Sequence, residues 1–200
     1  NIIRECCTLN PGTVSGGGKT VIGSFNLLMA YVHIAHDCYI DNHVVLANGV
    51  QLGGHIHIED GARLSAFVAV HHFATIGALS FVSGLSTVTR DIPPFMIVQG
   101  MPAKVRRLNE EGLRRKEVPE ENTQALKKLF KMLFRKEQNR AQVLEIAESE
   151  GLSKFAECRY LLDFLEQSSA GALGRGLEAH RAVVDKKLRD GDYGYKAKFE

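Results

Sequence analysis

His36, Gly54 and His72 are spaced by 18 residues, Asp37 and His55 are also 18 apart, and His71 adjoins His72. If 18 residues make one turn of a stacked structure, all six collect in one place. Two chemistries suit such a group. Neutral imidazoles around an open coordination position make a zinc centre for hydrolysis or hydration. Alternatively, one histidine titrating near neutrality takes the proton of a hydroxyl nucleophile. His36 would then be the base and Asp37 would orient its ring. Gly54, lacking a Cβ, would admit a substrate carbonyl to its N–H as an oxyanion donor. The base reading uses the glycine and the acid, whereas the zinc reading leaves both idle. His33, just before His36, is a supporting candidate. His43 and His57 fall in other registers and His180 in a weakly patterned segment, so they read as ordinary surface histidines.

A second period supplies the stacking. Ile22, Leu28, Ile34, Ile40, Leu46, Leu52, Ile58, Leu64, Val70, Ile76, Val82 and Val88 stand six apart without a gap. Six is neither the helical period of 3.6 nor the strand period of 2. It belongs to the hexapeptide-repeat left-handed parallel β-helix, in which three hexads close one triangular coil. Residues 18 apart then stack at about 4.8 Å, one strand spacing. Four positions after the anchors stand small or β-branched residues, among them Val32, Cys38, Val44, Val50, Ala62, Val68 and Ala74, as a narrow interior demands. The phase extends back to Leu9 and Ile3 if one extra residue is allowed between Asn10 and Lys19. Pro11, Gly12, Gly16, Gly17 and Gly18 mark an excursion there. The chain opens at Asn1 in mid-repeat, which reads as a fragment lacking earlier coils.

After Val88 the hexads stop at Asp91-Ile92-Pro93-Pro94, and Phe95 to Val105 reads as an extended segment leading away. Glu120–Lys136 places Leu126, Leu129, Phe130 and Leu133 on one helical stripe. Asn139–Glu150 predicts a second helix stopped by Gly151, and Ser153 a cap for a third. Leu177–Leu188 is a weaker helix and Asp190–Glu200 a tail. The expected organisation is mainly β with α: a prism and its exit over 1–105, helices over 106–170, and a weakly patterned remainder over 171–200. Through Gly100 there are four Lys plus Arg against six Asp plus Glu, and from Met101 onward 21 against 17. So mild a balance excludes a dedicated nucleic-acid binder but suits an acidic protein partner. Four cysteines without a disulfide framework imply a reducing, cytoplasmic setting, and no apolar run is long enough to span a membrane.

Several segments together resemble the acyl-carrier-protein:UDP-N-acetylglucosamine O-acyltransferases, which begin lipid A synthesis. The run His33-Ile34-Ala35-His36-Asp37-Cys38 is similar to the family's catalytic segment, and Gly12-Thr13-Val14 with Gly16-Gly17-Gly18 to its glycine loop. Gly54-His55, Val70-His71, Asp91-Ile92-Pro93-Pro94 and Gln99-Gly100 follow in the family's order, and Asn109, Glu111, Gly112, Leu113, Arg114 and Arg115 resemble its later signature. The resemblance implies a homotrimer with clefts between neighbouring prisms. There His36 deprotonates the sugar 3-hydroxyl, Asp37 supports it, and the Gly54 N–H binds the oxyanion as the acyl chain leaves acyl carrier protein. It further implies that His55 and His71 contact the UDP-sugar, that Asn109, Glu111 and Arg115 form the nucleotide end, and that no metal or cofactor is needed. Gly84 and Met101 would line the acyl groove, where the glycine leaves room for a long chain. Two positions depart from the family: His72 replaces a usual Gln, and Lys116 replaces the second Arg of a pair that would grip phosphate. A paralogous nucleotide-sugar acyl- or acetyltransferase and a zinc hydratase of carbonic-anhydrase type remain the alternatives.

Overall fold

The computed structural model describes residues 1–16, 18–135 and 139–179. In it each hexad contributes a two-residue strand, paired in parallel with the strand 18 residues away: Leu28 with Leu46, Ile34 with Leu52, Ile40 with Ile58. The strands sort into three sheets, one per wall of a left-handed β-helix. The first wall includes Leu27–Leu28, Val45–Leu46, Arg63–Leu64 and Phe81–Val82. The second includes His33–Ile34, Gln51–Leu52, Ala69–Val70 and Thr87–Val88. The third includes Val21–Ile22, Tyr39–Ile40, His57–Ile58 and Thr75–Ile76.

The period works because each anchor points inward. The anchors from Leu28 to Val88 are buried, as are Val32, Cys38, Val44, Val50, Ala62, Val68 and Ala74, so large and small residues alternate around a closed interior. Each fully buried Leu or Ile contributes about 1.5–3 kcal/mol relative to exposure. The corners have a period of their own. Every sixth residue from Phe25 through Leu85 adopts a positive φ, and only Gly49 and Gly61 among them are glycines. An L residue there is strained. Ladder bonds hold it, since these residues donate their N–H to the coil before, as His55 does to the His36 carbonyl and Phe73 to that of Gly54, each at 3.0 Å.

Three expectations need correction. The early excursion is longer than one residue, because Leu9 pairs with Ile34, 25 positions on instead of 18, which leaves a loop of seven extra residues. That loop folds over the corner holding Asp37. Nor do the walls end at the prolines: Ile92 bridges Ile76, and Ile97 and Val98 pair with Phe81 and Val82, each offset by 16 instead of 18. The prolines shorten the last coil without breaking it, and Met96–Gly100 then turns back antiparallel against Ala103–Leu108. Finally, Ser153 caps nothing. It lies buried in the turn Leu152–Lys154 that follows the left-handed Gly151, and its carbonyl accepts from Arg159 Nε at 3.2 Å.

The helices are α1 (Glu110–Arg115), α2 (Glu120–Phe134), α3 (Arg140–Ser149) and α4 (Ala156–Ser169). Asn139 caps α3 through a capping box with Gln142. Leu126 and Leu129 of α2 and Leu161 and Leu162 of α4 join the prism's apolar interior in one buried cluster. Polar ties to the prism run from the Tyr160 hydroxyl to Glu59 Oε2 and from Ser168 Oγ to Asp91 Oδ2, both at 2.8 Å. Of the predicted Leu177–Leu188 helix only residues through 179 are described. His180 and the Asp190–Glu200 tail lie outside the described residues. No described helix is long and apolar enough to cross a membrane.

Candidate active site

Asp37 is the best-held polar group of the prism. Its side chain is 0% exposed, while that of the adjoining His36 is 43% exposed. Asp37 Oδ1 accepts from the Thr13 N–H at 2.8 Å, and Oδ2 accepts from the Thr13 hydroxyl at 2.7 Å and from His36 Nδ1 at 2.7 Å. Its own N–H donates to Thr20 Oγ1 at 2.9 Å. Burial alone would push this carboxyl up. The bonds from the Thr13 hydroxyl, His36 and the Thr13 N–H, with the nearby His55 ring, outweigh it and hold the carboxyl below its ordinary value. A carboxylate accepts only, so the His36 proton sits on Nδ1 and Nε2 keeps its lone pair on the exposed side.

Gly54 faces that ring. A Cβ on Gly54 would lie 2.6 Å from His36 Cε1 and 2.8 Å from Nε2, so the glycine makes room for the imidazole. The Gly54 N–H has no acceptor among the described residues. From His36 a ladder of rings runs along the corner. His36 meets His55 edge-on at 5.2 Å, and His55 stacks on Phe73 at 4.4 Å. Phe73 meets the edge of His72 at 5.7 Å, and His72 lies 3.9 Å from His71. His33 stands on the neighbouring wall strand, its Nδ1 2.7 Å from Thr8 Oγ1.

The other expected site residues lie at other corners of this chain. Asn109, Glu111, Arg115 and Lys116 line a cavity of about 500 Å³ with His43 and Arg63. Position 43 is seven residues past His36 and therefore one corner further round the coil. The Asn109 side chain caps α1 by accepting from the Gly112 N–H at 3.1 Å and donates to the Leu79 carbonyl at 2.7 Å. It builds the cavity wall rather than reaching into it. Glu111 is gripped by Arg114 through two bonds of 2.9 Å and by Arg115 Nε at 2.8 Å, and the Arg114 bond chiefly holds its carboxyl low. Gly84 and Met101 occupy the third corner, where Met101 is 70% exposed. A Cβ on Gly84 would come 3.3 Å from the Ala66 carbonyl and 3.7 Å from Ser65 Cβ, so the glycine sits tight against the coil before it.

His36, Asp37 and His55 present ligating atoms within 4.8 Å of one another, the minimum a metal would need. Their geometry fits it poorly. A metal on Asp37 would have to displace bonds from Thr13 and His36, and the further imidazoles, His72 and then His71, lie beyond Phe73 on the ring ladder. Cys38 is no nucleophile either: burial pushes its thiol up to about 11, and its Sγ donates to the Gly53 carbonyl at 3.1 Å. Thr13, Thr20 and Gly16 received no role from the sequence. A Cβ on Gly16 would lie 2.2 Å from the Asp37 carboxyl, so the loop's composition answers to the carboxylate beneath it. The signal was the glycine-rich excursion, and its target could not be seen without the fold.

Comparisons with known proteins add to this geometry. Residues 91–176 match the family model described as UDP-N-acetylglucosamine O-acyltransferase domain 2, and residues 19–54 match the bacterial transferase hexapeptide repeat. The acyl-(acyl-carrier-protein):UDP-N-acetylglucosamine O-acyltransferase of Thiobacillus denitrificans is 42% identical over 173 residues, 86% of this chain and 67% of that protein. The like-named protein of Verminephrobacter eiseniae is 46% identical over 135 residues, 68% of this chain and 52% of that one. The solved UDP-N-acetylglucosamine acyltransferase of Francisella novicida superposes with a TM-score of 0.78 at 36% identity, covering 84% of this chain and 61% of that structure. The chain thus spans between about half and two thirds of the length of the proteins it matches.

Proposed function

This chain belongs to the acyl-carrier-protein:UDP-N-acetylglucosamine O-acyltransferase family, and on that premise we propose that it carries the catalytic corner of an enzyme moving a 3-hydroxyacyl group from acyl carrier protein to the sugar 3-hydroxyl, the first step of lipid A synthesis. The observation that carries the proposal is the buried Asp37 holding His36 with its Nε2 lone pair exposed beside the unengaged Gly54 N–H. His36 Nε2 takes the proton as the sugar oxygen bonds to the thioester carbon. Negative charge developing on the carbonyl oxygen meets the Gly54 N–H. Collapse breaks the C–S bond, and the proton on His36 passes to the departing thiolate of the carrier, which leaves the base as it began. Holding both substrates in one cleft supplies much of the remaining rate.

The separation of the three corners supports a homotrimer. In one chain His36 and Arg115 face different directions, and a threefold assembly sets one prism's histidine corner against the next prism's arginine corner. His55, His71 and His72 would hold the sugar, Arg115 and Lys116 the phosphates, and Gly84 with Met101 a long acyl chain. The water-soluble carrier and nucleotide sugar fit a cytoplasmic enzyme. The test is to offer the complete protein 3-hydroxyacyl thioesters of acyl carrier protein together with UDP-N-acetylglucosamine or its 3-amino analogue. An ester at the sugar 3-position is the expected product. No transfer to either sugar from any carrier thioester would sink the proposal.

A further inference from the structure

The turn after α4 is anchored over the same histidines by contacts that no motif announced. Gly174 is buried with φ +61, and a Cβ on it would lie 2.0 Å from Asp91 Oδ1, so no other residue fits without moving the turn. Asp91 Oδ1 accepts from the N–H groups of Thr75 at 2.9 Å and Arg175 at 3.0 Å, while Oδ2 takes the Ser168 hydroxyl at 2.8 Å. One corner of the last coil therefore seats both the end of α4 and the turn. From that seat Arg175 Nη1 donates to His71 Nδ1 and to the His72 carbonyl, each at 2.7 Å. Arg175 Nη2 pairs with Glu178, whose other oxygen accepts from His72 Nε2.

These contacts fix protons. A guanidinium offers donors only, so the His71 Nδ1 it touches is a bare acceptor and the ring's hydrogen sits on Nε2. His71 Nδ1 also lies 3.4 Å from the His72 carbonyl, a contact that would require the opposite tautomer. Arg175 serves that carbonyl at a much shorter distance and decides the matter. The Glu178 carboxyl is held low, chiefly by the hydrogen bond from His72, so it is an acceptor and His72 Nε2 carries a hydrogen. His72 is the position at which the family resemblance implies a Gln. An imidazole reproduces an amide's fixed donor only when its hydrogen is pinned, and Glu178 pins it.

We propose that Arg175 and Glu178 are positioning residues of the sugar-nucleotide site: Arg175 holds the exposed His71 as its neutral Nε2–H tautomer, a donor toward substrate, and Glu178 fixes the His72 ring beside it. The identity of the ligand rests on the acyltransferase function proposed above, and the tautomer does not. The experiment uses the complete protein with ¹⁵N-labelled histidine, the His71 signals being assigned with His71→Asn. Wild type should show one His71 tautomer, protonated on Nε2. Arg175→Ala should mix the tautomers and raise the dissociation constant for UDP-N-acetylglucosamine about tenfold while kcat changes less than about twofold, with Arg175→Lys between the two. In a His72→Gln background, Glu178→Ala should affect binding less than it does in wild type, since only its pairing with Arg175 is then lost. An unchanged His71 spectrum in Arg175→Ala overturns the clamp, and tighter binding in that variant overturns it in favour of a strap that blocks the site. A wild-type protein with the pinned tautomer but no affinity for the nucleotide sugar overturns the ligand, and with it the acyltransferase function.

Discussion

The two polar corners of the prism hold charge in opposite ways. At the histidine corner the Asp37 carboxylate is dry and bound by three donors from two residues, and a stack of rings extends from the histidine it holds. At the arginine corner the ion pair of Glu111 and Arg115 has side chains 49% and 56% exposed, around an open cavity. Buried, fully bonded groups keep a ring within a narrow range of positions, which proton transfer requires. Exposed cations on flexible stems adapt to a phosphate but are screened by salt. On the proposed function, the groups that move the proton are built into the coil itself, while those that would meet the phosphates come from the elements that follow it.

Substitutions should separate the corners. The largest expected effect is from Asp37→Asn. An amide in place of the carboxylate can leave His36 in the wrong tautomer, lowering kcat on the order of 10³- to 10⁴-fold with little change in nucleotide affinity. The same variant alters acid stability. Because the folded-state pKa of Asp37 lies below its unfolded value, its contribution is complete above the unfolded value and drains as pH falls through the folded one. Denaturation midpoints followed downward through the carboxylate range should slope less in Asp37→Asn than in wild type. Next comes Gly54→Ala, whose methyl collides with the His36 ring and should cost about 10²-fold in kcat. Equal losses of affinity and turnover in either variant would erase the distinction between the corners.

Smaller effects belong to the other two corners. Arg115→Ala should raise KM for the nucleotide sugar about tenfold and flatten its salt dependence, leaving kcat nearly unchanged, as steady-state kinetics at two ionic strengths would show. Gly84→Met should change selectivity more than rate. A side chain here, held tight on one side by the Ala66 carbonyl, should extend into the proposed groove and shift preference toward shorter acyl chains by a few-fold to about 100-fold, consistent with the one to three kcal/mol that a methylene commands in an apolar pocket. A variant that still prefers long chains would remove Gly84 from the acyl groove.

The histidine corner was legible in the sequence because its information is arithmetic. Once the anchors repeat by six, a spacing of 18 places Asp37 under His55 and Gly54 between His36 and His72, whatever the rest of the chain does. The arithmetic failed where the chain leaves the repeat. Leu9 to Ile34 hides a seven-residue loop inside an apparent phase shift of one, since a whole hexad is invisible to a period of six. The Asp91-Ile92-Pro93-Pro94 segment looked like an exit, but prolines are tolerated where a shortened coil still delivers Ile97 and Val98 to the wall. The Arg115 cavity and the Arg175 turn depend on how helices dock, which no local spacing encodes. Ser153 shows the same limit at small scale: its residue type suits a cap, but the turn after Gly151 buries it two residues before the helix's actual N-cap, Phe155.

The direct test of His36 as the base is single-turnover acyl transfer by His36→Ala in the complete protein, with UDP-N-acetylglucosamine affinity measured on the same sample. Loss of the chemical step by about 10²- to 10⁴-fold, with affinity held within about threefold, is the expected result. Acyl transfer at the wild-type rate would contradict it.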